Sequence, residues 1–187
     1  MKIFGTAKGG ALSKKDFGVA FGGAAAVELC QESGIDTTAI NPESPYIKFG
    51  YRMDENFPAI GKTITKLVFY LNNGGSAVGN LSAYVGIEGD KTKMGTVDVE
   101  TIGTATSGGH PVTFDSDTHE VSENDVFWFE NDADRENNCN AYWVGAGVSS
   151  SPIDDTTVMW GGSALGVPPP VQTGSNLKAV KVCITYS

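Results

Sequence analysis

Residues 62–88, KTITKLVFYLNNGGSAVGNLSAYVGIE, decide how the rest of the chain is read. Leu67, Phe69 and Leu71 share one parity, Lys66 and Tyr70 the other. Leu81, Ala83, Val85 and Ile87 alternate in the same way with Ser82, Tyr84, Gly86 and Glu88. Successive side chains leave a strand on opposite faces, so a period of two marks a half-buried strand. Between the two runs, Asn72-Asn73-Gly74-Gly75 supplies residues that tolerate positive φ, and the chain reverses there. The stretch predicts a long antiparallel pair whose inner face seeds a sheet core.

Working outward, the rhythm recurs at 46–51 (YIKFGY) and 94–102, where Val97 and Val99 oppose Asp98 and Glu100. It returns at 110–114 (HPVTF) and in 121–130 (VSENDVFWFE), where a turn at 123–125 precedes Phe127-Trp128-Phe129. Residues 140–147 (NAYWVGAG) and 156–160 (TTVMW) follow, and in the closing 176–186 Val180, Val182, Ile184 and Tyr186 oppose Lys181, Cys183 and Thr185. Residues 161–175 hold Pro168-Pro169-Pro170 and are excluded from a sheet interior, because proline lacks the ladder donor. The sum is about eight or nine short strands separated by turns, the pattern of a sandwich or barrel. The predicted fold is all-β: an antiparallel two-sheet β-sandwich with jelly-roll connections.

The beginning differs. Residues 1–29 cluster Gly and Ala and space Phe4, Phe17 and Phe21 along them. Such a stretch has few side chains to bury and much backbone freedom to lose on ordering. It is expected to be ordered by docking, either on its own domain or on a sheet edge of a neighbouring subunit through Phe4, Phe17 and Phe21. Residues 24–31 (AAAVELCQ) are the one plausible helical turn, and 30–45, with Gly34, Asp36, Asn41-Pro42 and Ser44-Pro45, reads as a connection. The expected organisation is an N-terminal arm and connection at 1–45 and a sandwich domain at 46–187.

Hydrophobic residues at 40 % against 19 % charged provide for a core. The formal charge of −9 and the sequence pI of about 4.6 repel nucleic-acid phosphate and anionic lipid. No run approaches the roughly 20 apolar residues of a membrane-spanning helix. Lys8, Lys14, Lys15 and Asp16 interrupt the leading apolar pieces, so the N-terminus does not read as a secretory signal. Either a signal has been removed, or the protein matures by another route, as a virion protein would. The three cysteines, Cys30, Cys139 and Cys183, form no CxxC, which argues against zinc. The odd count leaves at least one thiol free or paired between chains. Cys139 and Cys183 fall in predicted strands and are candidate neighbours; the plainer reading is buried, reduced cysteines.

Little in the chain suggests catalysis. The only histidines, His110 and His119, sit in no nucleophile–base context and read as solvated turn residues. No GxxxxGK[ST] or strand-led GxGxxG motif supports nucleotide binding. No enzyme activity and no required cofactor are expected. The strongest local cluster is 131–138, where Asp132, Asp134 and Glu136 are candidate Ca²⁺ ligands, since calcium takes six to eight oxygens. An EF-hand is excluded, because Asn137 stands at the glycine position and Trp143 at the bidentate glutamate position. The alternative is a solvated acidic loop. Trp128, Tyr142, Trp143 and Trp160 are candidate platforms for a sugar ring, against the ordinary burial of such residues. Trp160 leads them, because Gly161-Gly162 leave its flank open.

IGKTITKLVFYL, GNLSAYVGI, VSENDVFWFE and the closing LKAVKVCITY together resemble jelly-roll sandwich modules of virion surface and secreted, carbohydrate-binding-like proteins. The resemblance covers about residues 46–187 and includes no active-site motif. It implies a structural or binding role at a virion or extracellular surface, in a homo-oligomer or repetitive assembly. The alternative it implies is a glycan-binding module with structural calcium.

Overall fold

The computed structural model describes residues 25–31, 35–40, 48–73, 79–104, 108–131, 139–144, 151, 153–161, 165–174, 177 and 179–187, without the side chains of 35–40 and 139–144. Among these, twelve strands form in chain order. They are β1 Val27–Cys30, β2 Ile35–Ile40, β3 Lys48–Met53, β4 Thr63–Asn73, β5 Asn80–Ile87 and β6 Asp90–Asp98, then β7 His110–Phe114, β8 His119–Glu120, β9 Val126–Asn131, β10 Cys139–Val144, β11 Thr156–Trp160 and β12 Val182–Tyr186. They make two antiparallel sheets, one of seven strands and one of five. The single helical element described is a 3₁₀ turn, Val99–Thr101. The chain is an all-β, two-sheet sandwich.

β4 is the longest strand, eleven residues without glycine or proline. Its register slips against β12 between Thr185 and Tyr186, which puts Ile64 on the same buried face as Leu67, Phe69 and Leu71. Leu71 pairs at once with His110 of β7 and Ala141 of β10, so those strands take opposite edges of β4. Leu67 likewise pairs with both Ile184 of β12 and Phe114 of β7. β12 and β10 therefore follow one another along a single edge. β1 and β2, their outer partners, form the rim of this sheet. The second sheet runs β11-β3-β9-β5-β6.

The apolar alternation in 62–88 marks buried faces at Leu67, Phe69, Leu71, Leu81, Ala83 and Val85, all 0 % exposed, but not at Ile87, which ends β5 and is 46 % exposed. The predicted pairing of its two halves is wrong. β4 belongs to the seven-stranded sheet and β5 to the five-stranded one, so the chain crosses between layers after Asn73. The edges that a hairpin would have used are taken by other strands: β12, β7, β8 and β10 on β4, and β6 and β9 on β5. The real hairpin is β5–β6, closed at Glu88-Gly89 with Gly89 at φ 88°. The front half of β6, Asp90 to Lys93, is polar, so alternation alone did not reveal it. The helical turn expected at 24–31 is a strand at Val27–Cys30, and the connection expected at 30–45 contains β2. Cross-strand pairing overrides the helix propensity of Ala, Glu and Leu there. The sandwich thus takes in part of the stretch assigned to the leading arm; residues 1–24 lie outside the described residues.

The sheets meet through aromatic rings. Phe69 of β4 meets Phe129 of β9 edge-on at 4.9 Å between centroids and 66° between planes. Tyr51 of β3 crosses the same layer: its hydroxyl donates to the Val180 carbonyl at 2.7 Å and accepts from the Val180 N–H at 3.0 Å. Burial pushes this phenol well above the usual tyrosine value of 10.0, against a smaller opposing effect of the Val180 hydrogen bond. The folded state therefore keeps the phenol neutral where the unfolded chain ionises it. The stabilisation is full below pH 10 and is lost as pH rises from there toward the folded value, at about 1.4 kcal/mol per pH unit. Tyr51→Phe is expected to cost about 1–3 kcal/mol at neutral pH, because both Val180 groups lose their partner. It should also flatten the alkaline fall by one proton. Urea midpoints between pH 8 and 12 measure both effects.

Candidate functional site

Three places concentrate polar chemistry. The first is His119 on β8. Its Nδ1 lies 3.0 Å from Thr92 Oγ1 on β6, and its Nε2 lies 3.0 Å from Asp125 Oδ2 in the turn before β9. That turn needs Asn124 at φ 70°, a conformation asparagine tolerates. It is closed by the Ser122 N–H donating to Asp125 Oδ2 at 2.7 Å. A cleft of about 430 Å³ opens beside the cluster, walled by Asp90, Glu120 and Glu123 and floored by Asp125. Hydroxyl, imidazole and carboxylate are the parts of a nucleophile relay. Both ring nitrogens are engaged, as they are in such a relay, but the side chains of His119 and Asp125 are only 10 % and 6 % exposed. The geometry suits a clasp joining β8 of one sheet to β6 and the β9 turn of the other. Asp125→Ala, which strands the Ser122 N–H and the ring, is expected to cost about 1–3 kcal/mol in denaturant unfolding. His119 is not the solvated turn residue expected. Its partners lie 27 and 6 positions away in sequence, with no local motif to announce them.

The second place is the outer face of the five-stranded sheet. Phe49, Tyr51 and Met53 of β3 join the core, so Lys48, Gly50 and Arg52 face outward. A Cβ at Gly50 would meet the Phe127 carbonyl oxygen at 2.4 Å and Trp128 Cβ at 2.5 Å, so only glycine fits beside Trp128. Trp128 stacks on Tyr84 at 5.2 Å and packs with Val126 and Met159. Lys48 and Glu130, cross-strand partners, form a buried ion pair at 3.3 Å. Residues 165–172 strap over this pair. The Gly166 N–H donates to both Glu130 oxygens at 2.8 and 2.9 Å, and Lys48 Nζ donates to the Val167 carbonyl at 2.8 Å. Lys91 Nζ donates to the Gly166 carbonyl. Beyond the prolines, the Trp160 N–H donates to Pro170 O and the Gln172 N–H to Val158 O, which closes the edge of β11.

The third place is the rim strand β1. Cys30 is bonded to Cys183, its register partner on β12. This replaces both expectations for the cysteines, a Cys139–Cys183 pair and reduced thiols throughout. Sequence spacing gave no sign of it, because the two cysteines lie 153 positions apart and β1 had been read as helical. Beside the bridge, Lys66 pairs with Glu28 at 3.1 Å on the surface.

The aromatic platform changes accordingly. Trp128 is 0 % exposed, with its indole N–H 3.4 Å from Glu130 Oε2, and does not face a ligand. Trp160 is partly buried and stacks on Phe49 at 5.8 Å. A Cβ at Gly161 would meet nothing within 4 Å, while Trp160 itself is the register partner of Phe49 and packs against the core. Tyr142 and Trp143 lie on β10, in the other sheet from Trp128 and Trp160, with a register shift between them. Their side chains, with Asp132, Asp134, Glu136, Phe4, Phe17 and Phe21, lie outside the described residues. Among the described residues, no group of three His, Cys, Asp or Glu side chains is arranged to hold a metal ion, and no helix is long and apolar enough to cross a membrane.

The fold and these places define the class of the protein as a two-sheet antiparallel β-sandwich with a disulfide-tied rim strand. No family model, curated protein or solved structure matches the chain.

Proposed function

We propose that this chain is a non-enzymatic surface protein of a virion or an extracellular assembly: a jelly-roll body whose N-terminal stretch joins copies to one another. The observation that carries this reading is the position of β1. It forms the sheet rim, it is fixed there by Cys30–Cys183, and residues 1–24 with Phe4, Phe17 and Phe21 lead directly into it. A sheet rim is where an extended segment of a neighbour adds a strand. A disulfide suits an oxidising setting outside the cytosol. The charge of −9 favours neither nucleic acid nor anionic membrane as partner. The proposal includes no enzyme activity and no required cofactor.

The test is light scattering after size exclusion, on the full chain and on a chain starting at residue 32, which lacks both the leading segment and β1. A multiple of 19.6 kDa for the full chain that falls to the monomer on truncation supports the reading. Monomeric masses for both overturn it. A second reading, a glycan-binding module, is favoured by one observation: Trp160, the last residue of β11, is only partly buried. Glycan-array binding that Trp160→Ala abolishes would support it, and a calcium-dependent melting shift would bring in Asp132, Asp134 and Glu136. No retained glycan and no calcium shift would remove it.

A further inference from the structure

We infer that the rim strand is exchangeable between copies: β1 of one chain docks on β12 of another, and the Cys30–Cys183 bond then links the two covalently. The inference rests on the assembly reading above and gives it a partner surface, the β12 edge of a second copy of this chain.

Complementarity is the first support. Val27 to Cys30 pair with Tyr186 to Cys183 residue by residue, and Cys30 falls opposite Cys183. A surface that fits this strand within one chain fits the same strand of an identical chain, which is why exchange of an element is an easy route to oligomers. The second support is how lightly β1 is packed. Val27 and Glu28 are exposed, and of the strand only Leu29 packs on the core, partly buried. The third is the quality of the seam. Among the described residues, the buried side-chain polar atoms without a hydrogen-bond partner are Gln31 Oε1 and Nε2 and Thr185 Oγ1. Gln31 follows β1 directly, and Thr185 is the register partner of Glu28. A buried polar atom left unpaired opposes docking. This seam, and no other described one, collects such atoms. The disulfide contributes to holding in place a strand that packing holds weakly.

The chemistry balances without an oxidant. A small thiolate attacks Cys183 Sγ, forms a mixed disulfide there and releases the Cys30 thiolate. The Cys30 thiolate of a second chain attacks that mixed disulfide at Cys183 Sγ and expels the small thiolate unchanged. For a reciprocal dimer, two intrachain S–S bonds become two interchain ones, with no net electron transfer. Head-to-tail exchange extends the same step to longer series.

The experiment mixes equal amounts of ¹⁵N-labelled and unlabelled full-length protein under native conditions with a catalytic glutathione couple. Thiols are then alkylated, and the disulfide-linked Cys30–Cys183 peptides are weighed by mass spectrometry. Exchange predicts that about half of these pairs are mixed-isotope, since unlike chains meet as often as like ones. It also predicts dimers and higher species on a non-reducing gel that a thiol reductant collapses. Only like-isotope pairs would overturn the inference. Light scattering on the Cys30→Ser, Cys183→Ser chain separates this from the assembly reading. Multimers by mass with only like-isotope pairs sink the exchange alone. Mixed pairs in the native chain, with a monomeric double variant, uphold the exchange and sink noncovalent joining by residues 1–24.

Discussion

Lys48→Met should cost the fold about 3–5 kcal/mol, because it leaves the Glu130 carboxylate buried without its cation. Both side chains are 2 % exposed, so water cannot take the place of the lost partner. Glu130 would keep the Gly166 N–H and the weak Trp128 bond, but neither carries a full charge. The double variant Lys48→Met, Glu130→Gln should recover most of the loss. It removes both charges and keeps an oxygen to accept from Gly166. Chemical denaturation of the parent chain and the two variants measures this. Equal stability of Lys48→Met and the parent chain would mean that the strap does not seal the pair.

Phe69→Ala should cost a comparable 3–5 kcal/mol, by lost transfer energy and by the cavity left behind. The ring is fully buried and touches Phe129 of the opposite sheet and, at 6.2 Å, Phe114 of the neighbouring β7. Neither sheet can close the gap without moving its own strands. A double-mutant cycle with Phe129→Ala should return a coupling of about 0.5–1.5 kcal/mol, the range for edge-on aromatic pairs. Zero coupling would show that the rings do not meet across the layer.

Alternation reports which face a side chain takes, and in this chain it did so well. Leu67, Phe69, Val85, Val182 and Ile184 are all buried where the period of two put them. Alternation does not report which strand lies alongside. The turn chemistry at 72–75 reads the same whether the chain reverses within a sheet or crosses to the other. So β4 and β5 looked like a hairpin and are in different layers. Short strands fixed by distant partners were equally hard to see: VELC pairs with the C-terminal strand, and its own residues favour a helix. The same limit hid the polar sites. Cys30 with Cys183, His119 with Thr92 and Asp125, and Lys48 with Glu130 each join segments that only the folded sheets bring together. Trp128 is hidden for a related reason. It lies in a small buried cluster with Val126, Met159 and Tyr84, beside the Lys48–Glu130 pair that residues 165–172 bind. The sequence shows of those residues only that prolines bar them from a sheet interior.

The sandwich depends on two sheets sharing one apolar layer. Aromatic nuclear Overhauser contacts between Phe69 and Phe129, in protein labelled on phenylalanine rings, test this most directly. Rings 4.9 Å apart should give strong cross-peaks at the positions the Phe129→Leu variant removes. Absence of those cross-peaks, with Phe69 ring protons in contact with water instead, would contradict it.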